Sequence, residues 1–135
     1  MKLVLDTNAY CLCDRGLEAA LNCVERARTL YLPAVVYGEL YYGFKYGARL
    51  QSNLRRLNTF IDKFAVTLIS VDDEVARKYG DIFAVLRAKG RPIPTNDIWI
   101  AASCMSVGGT LLTADRHFQE IPHIQTQLLN SVSDV

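Results

Sequence analysis

The sequence predicts an α/β protein: a three-layer α/β/α sandwich built on a mainly parallel central sheet. Three observations carry this reading. Short runs rich in Val, Leu and Ile recur along the chain. They begin with Leu3-Val4-Leu5, and each is too short for a helix and apolar enough for burial on both faces. Longer segments of helical period lie between them. Gly and Pro mark the joints. Strands alternating with helices place helices on both faces of the sheet, and their crossovers are expected to be right-handed.

The elements follow in order. Leu3-Val4-Leu5 is the first strand, and it ends abruptly in Asp6-Thr7-Asn8. Thr7 or Asn8 is expected to cap a short helix running to about Asp14, which Gly16 ends. Leu17 to Arg28 is an amphipathic helix with Leu17, Ala20, Leu21 and Val24 on one face. Thr29 to Leu32 is a second strand, and Pro33 suits the first turn of the next helix. That helix, about Pro33 to Tyr46, carries Val35, Val36, Tyr37, Leu40, Tyr41, Tyr42 and Phe44. It is apolar nearly all round, so it is expected to be largely buried. A helix from about Arg49 to Phe64 follows, striped by Leu50, Leu54, Leu57 and Ile61.

Residues 65–69 read as a third strand. Asp72 or Asp73 opens a helix whose buried face holds Val75, Tyr79, Ile82, Phe83 and Leu86. Gly90, Pro92 and Pro94 make a loop, and Asn96-Asp97 starts a helix that stops at Gly108-Gly109. Thr110 to Thr113 is a fourth strand, with Asp115 close behind it as Asp6 is behind the first. Ile124 to Leu129 supplies a last edge strand.

Composition narrows the class. The 135 residues fit one domain, 1–135, without repeat, low-complexity tract or linker, and half of them are hydrophobic. A formal net charge of +1 supplies no strong field for nucleic acid, and no direct DNA binding by this chain alone is expected. No apolar run reaches membrane-spanning length and no secretory segment precedes the first strand, so a cytoplasmic protein is expected. Cys11, Cys13, Cys23 and Cys104 match no zinc or redox spacing and are expected to be reduced, mostly buried thiols.

Four acids have a structural reason to meet. Asp6 and Asp115 lie just past strand ends, where open α/β sheets bind their ligands. Asp97 lies in the first turn of a helix, and Glu39 sits two turns inside a greasy one. Taken singly, each Asp reads equally well as a turn or cap residue. Glu39 is harder to dismiss, because a bare buried carboxylate costs several kcal/mol or more. Four like charges in one cleft repel, and a hard cation such as Mg2+, with Mn2+ as a substitute, removes that conflict. Such a cleft suits hydrolysis of a phosphodiester. Thr7, Asn8, Asn96 and Thr113 are placed to orient water or to support the acids. His117 reads as a surface or loop residue rather than a ligand.

Together, Leu5-Asp6-Thr7-Asn8, the Pro33-to-Glu39 helix, Thr95-Asn96-Asp97 and Leu112-Thr113-Ala114-Asp115 resemble the PIN-domain ribonucleases over essentially the whole chain. The resemblance is nearest to the VapC-type toxins of toxin–antitoxin pairs. It implies a PIN-like fold, Mg2+-dependent endoribonuclease activity on RNA, and a cognate antitoxin as partner. It also implies an acidic quartet of Asp6, Glu39, Asp97 and Asp115, with Asp6 and Asp97 the surest metal ligands. Where the family carries a further acid soon after the fourth, this chain has Arg116 and His117. Arg87, Lys89 and Arg91, near Asp97 in sequence, are candidate contacts for RNA phosphates. Exposed tyrosines would suit a homodimer.

Other classes stay open at this point. A housekeeping RNA-processing nuclease would share the fold and the acids. A phospho-receiver domain would need a phosphorylatable Asp after a central strand and a Lys after a late one. Here the third strand runs into Ser70-Val71 and no Lys follows Leu112. A catalytically inactive interaction module would have no use for four acids.

Overall fold

The computed structural model describes residues 1–130; the last five residues of the expected single domain, 131–135, lie outside the described residues. Five strands form one parallel sheet: β1 (Lys2–Leu5), β2 (Thr29–Pro33), β3 (Thr67–Ile69), β4 (Thr110–Thr113) and β5 (Gln125–Leu128). Six helices connect them: α1 (Thr7–Asp14), α2 (Glu18–Arg26), α3 (Ala34–Tyr46), α4 (Leu50–Lys63), α5 (Asp73–Ala88) and α6 (Thr95–Val107). A short 3-10 turn, Arg116–Glu120, bridges β4 and β5.

Strand order is β3-β2-β1-β4-β5, and every neighbouring pair is parallel. The chain therefore winds outwards from β1 through β2 to β3, then crosses back and continues on the other side with β4 and β5. The reversal falls between β1 and β4. Leu5 is in register with Leu112, so Asp6 emerges beside Thr113 at the carboxyl ends of the two central strands. The Asp6 amide still donates to the Leu112 carbonyl at 3.3 Å. A crevice at such a switch point is where doubly wound sheets hold ligands.

The core agrees with the apolar runs. Leu3, Val4, Leu5, Leu111 and Leu112 are fully buried, as central strands covered on both faces require. α6 is apolar nearly all round and is the buried helix of the fold, with Ile98, Ile100, Ala101, Ala102, Ser103 and Cys104 inside. Its partner α5 lays Tyr79 flat on Trp99, with ring centroids 3.9 Å apart.

Three local expectations are corrected. α3 is not largely buried: only Val36 and Leu40 of its thirteen residues are inside. Its remaining aromatics exceed what its neighbours cover, and Tyr41, Tyr42 and Tyr46 stand exposed. The cap of α1 is Asp6 itself, whose Oδ1 accepts from the Ala9 amide at 2.8 Å, rather than Thr7 or Asn8. The third strand begins at Thr67, because Ala65 takes a positive φ of 51° that breaks extended pairing. The four cysteines are free, with Cys13 and Cys104 buried and Cys11 and Cys23 half-buried.

Candidate metal centre at the sheet switch point

Asp6 is the best-anchored member of the site. Its Oδ2 accepts the Thr113 hydroxyl at 2.5 Å, and its Oδ1 is held by the Ala9 amide. Thr113 is fully buried and also accepts the Asp115 amide at 3.0 Å. One hydroxyl thus links the ends of β1 and β4 and fixes both acids relative to the sheet. Burial is the main reason that the Asp6 carboxyl is raised to about 6; the hydrogen bonds from Thr113 and Ala9 oppose it, and the charges of Asp97 and Asp115 add to it.

Asp97 sits in the first turn of α6, opposite the strand ends. Burial raises its pKa too; His117 opposes the shift, while Glu39 and Asp115 add to it. Asp115 caps the 3-10 turn, its Oδ1 accepting from the His117 amide at 3.1 Å. Asp97 and Asp115 thus add to the raised pKa of Asp6, and Glu39 and Asp115 to that of Asp97. Glu39 has both oxygens engaged. Thr7 Oγ1 donates to Oε1 at 2.5 Å and Asn96 Nδ2 to Oε2 at 3.2 Å, tying α3 to α1 and α6.

His117 overturns its reading as a plain surface or loop residue. Its Nε2 lies 2.8 Å from Asp97 Oδ2, and its Nδ1 lies 2.8 Å from Asp115 Oδ1. Donor atoms of Asp97, Asp115 and His117 all fall within 4.8 Å of one another, which among the described residues is the set with the spacing of a metal centre. The neighbouring Phe118 is buried and anchors the turn that aims this ring. The sequence carried one usable signal: a polar residue two positions after a capping Asp, next to an apolar anchor, is turned back toward the strand ends.

The other expected residues are more scattered. Thr7, Asn96 and Thr113 support acids as described. Asn8 is exposed and lines a groove with Cys11, Arg15, Asp115 and Arg116. Arg87, Lys89 and Arg91 are exposed. Arg87 and Arg91 edge an apolar groove with Phe83, Leu86, Ile93 and Ile98, and Arg91 lies 3.7 Å from Glu120 at the end of the 3-10 turn.

The donor set fits a hard or borderline divalent cation. Asp6 is buried and Asp97 partly so, and burial together with neighbouring carboxylates raises the pKa of both. Among the described residues, no protein donor reaches Asp97 Oδ1 or Asp115 Oδ2, which leaves both free to bind.

The sequence model of the PIN domain matches residues 3–124, from the first strand through the turn that carries His117. The chain belongs to the PIN domain family. It is 28% identical over 130 residues to Ribonuclease VapC2 of Haemophilus influenzae, a match covering 94% of this chain and 97% of that protein. The VapBC2 structure from Rickettsia felis, bound to a DNA fragment from their promoter, aligns with a TM-score of 0.87 and 24% identity, over 96% of this chain and 100% of that one. VapBC-5 of Mycobacterium tuberculosis, a member of the VapBC family of toxin-antitoxin systems, aligns at 0.72 and 25% identity, over 95% and 98%. The positions of Asp6 and Asp115 are set by the ends of the neighbouring strands β1 and β4.

Proposed function

We propose that this PIN domain is a metal-dependent endoribonuclease, the toxin of a toxin–antitoxin pair that a cognate antitoxin neutralises. The observation that carries the chemistry is the meeting of Asp6, Asp97 and Asp115 at the carboxyl ends of the central strands. The match to a named ribonuclease along nearly its whole length supplies the substrate class. Mg2+ is the proposed ion, with Mn2+ as a substitute. When bound, the metal polarises a phosphoryl oxygen and lowers the pKa of water so that it attacks phosphorus.

The chain's own residues do the rest. Asp6 and Asp115 are held rigidly by Thr113, so their oxygens need little reorganisation on metal binding. Asp97 brings its charge from the opposite side. Glu39, fixed by Thr7 and Asn96, adds negative charge beside Asp97 and is placed to accept a proton from water. Arg87, Lys89 and Arg91 are proposed phosphate contacts along the strand of RNA, outside the acids.

The exposed aromatics of α3 are the proposed partner surface, for an apolar helix of the antitoxin or for a second copy of the chain. A basic side chain from the antitoxin reaching the acids would block substrate. Among the described residues no helix is long and apolar enough to cross a membrane, and a cytoplasmic site of action is proposed.

The test is direct. Purified protein is incubated with RNA and Mg2+ or Mn2+, beside an Asp97→Asn variant whose fold is checked by circular dichroism. The parent is expected to cut internally and the variant to lose at least about a hundredfold in rate. Equal cleavage by both would remove Asp97 from the chemistry.

A further inference from the structure

The acids are bordered by a groove that carries the opposite charge. α1 and its C-terminal cap contribute Asn8, Cys11, Leu12 and Arg15, and the start of the 3-10 turn contributes Asp115 and Arg116, around a volume of about 540 Å3. The groove reaches the acidic cluster, since Asp115 lines it and Cys11 senses Asp6. Burial chiefly raises the Cys11 thiol, Arg15 opposes the shift, and Asp14 and Asp6 add to it. Arg15 and Arg116 are both exposed, and among the described residues neither forms an ion pair. Asp14, the acid beside Arg15, is taken by Arg56, whose Nε donates to its Oδ1 at 3.0 Å. A cation after α1 complements the negative end of that helix, which accounts for Arg15 alone. Arg116 opens a helical turn, where the exposed amides disfavour a cation, so local electrostatics does not account for it.

We propose that Arg15 and Arg116 form a subsite for a backbone phosphate of the RNA next to the one being cut, with Asn8 beside it for the ribose or base. The inference rests on the endoribonuclease reading above. It adds a second basic contact, in a groove that shares no residue with the one edged by Arg87 and Arg91. A guanidinium fork matches the geometry of a phosphate and stays charged at every relevant pH. The Asn8 amide both donates and accepts, as a ribose hydroxyl or a base edge requires. Cys11 and Leu12, half-buried, offer apolar surface to the sugar. The groove borders the acids and does not enclose them, so the phosphate it holds is a neighbour of the reacting one. Its contacts are then made equally in the ground state and the transition state, and their loss is read in KM rather than kcat.

The experiment uses the full chain and an RNA oligonucleotide spanning a site that the parent cuts in total RNA. Arg15→Gln and Arg116→Gln are compared with the parent and with Arg28→Gln, an exposed arginine before the amino end of β2. Each of the first two is expected to raise KM about tenfold with kcat nearly unchanged. Each should also flatten the dependence of log KM on log salt by up to about 0.7, while Arg28→Gln changes neither. Oligonucleotides then carry a neutral methylphosphonate in place of one phosphate at a time. At one position beside the cut, the replacement should cost the parent about tenfold and the two variants much less. Such coupling is not expected of an arginine that only supports the fold. Cleavage by the parent with Gln variants that match Arg28→Gln, or neutral phosphates that cost parent and variants equally, overturns the subsite and leaves the endoribonuclease reading standing. A parent that cuts no RNA overturns that reading and the subsite with it. Variants that keep KM but lose antitoxin capture overturn the subsite and assign the groove to the protein partner.

Discussion

Asp6 serves two neighbours through one carboxylate, and the cost shows in its proton affinity. A cap residue usually keeps its charge in water, but this one is 4% exposed. Burial, helped by Asp97 and Asp115, lifts it from an ordinary 3.8 to about 6. The folded chain therefore holds the Asp6 proton more tightly than the unfolded chain does. The stability this adds is fully present below about pH 3.8 and is lost as pH rises through 6, a change on the order of 3 kcal/mol. In chelator, urea melts of the parent are expected to show stability falling between pH 4 and 6.5, with a much flatter profile for Asp6→Asn. Asp97, pushed in the same direction, leaves a residual slope in the variant. Identical profiles would mean that Asp6 is ionised in the fold without penalty. At this scale the sequence was partly legible. The strand end exposed Asp6 and Asp115, but a cap and a ligand looked like rival readings, and the structure gives Asp6 the cap together with a place among the acids. His117 was misread because a lone histidine after a turn has no periodicity to declare its direction; its contacts depend on Asp97, twenty residues away.

Elements decide how closely those residues meet. β4 must run hard against β1, and Gly109 makes this approach. A Cβ there would stand 2.8 Å from Val4 Cγ2 and 3.3 Å from the Lys2 carbonyl. Val4 is fully buried and β-branched, so it has little room to turn away. Gly109→Ala is expected to cost about 1–3 kcal/mol in chemical denaturation. It should also lower activity through displacement of Thr113 and Asp115 further along the strand. A loss below about 0.5 kcal/mol would show that the strand pair yields without strain. The glycine pair was readable as a helix stop, and Gly108 fulfils it in the left-handed region with φ 65°. The close packing role of Gly109 was not, since it depends on which strand lies alongside. α3 and α6 show the same limit. Both are apolar nearly all round, yet α6 is the buried helix and α3 presents Tyr41, Tyr42 and Tyr46 to solvent. Composition cannot separate burial inside a fold from a surface kept for a partner. On the partner reading, Tyr42→Asp, at an exposed position, should leave RNA cleavage by the isolated chain intact and weaken antitoxin capture at least about tenfold in a pull-down titration. Unchanged capture would move the partner surface off α3.

Across the whole molecule, strand order was the quantity hidden in the sequence. Alternating strands and helices specified a parallel sheet, but many orders satisfy that pattern. The observed order β3-β2-β1-β4-β5 makes β1 and β4 neighbours and so brings the two distant residues Asp6 and Asp115 to adjoining strand ends. Asp6, Asp97 and Asp115 were legible because each sits at an element end that the pattern located, and Glu39 because it is the one acid inside an apolar helix. The bracing of Glu39 by Thr7 and Asn96 and the link of Asp6 to Asp115 through Thr113 needed coordinates. The site then becomes a handle on global stability. Raised carboxyls at Asp6 and Asp97 mean that the metal-free fold holds these charges at some cost, chiefly from burial, with the neighbouring carboxylates adding to it. A divalent cation binds that folded cluster and hardly binds the scattered acids of the unfolded chain. At about 100 times its dissociation constant it should add roughly 2.7 kcal/mol, or roughly 9 °C in a thermal melt for a chain of this size. Asp97→Asn should melt close to the parent in chelator, because losing a repelling charge offsets losing its contact with His117. With manganese it should gain much less than the parent. Were Asp97 only a helix-end charge, the variant would lose up to about 1 kcal/mol in both conditions and keep the full metal response. Four melts, parent and variant with chelator and with manganese, separate the two outcomes, and parallel metal shifts would take Asp97 out of the site.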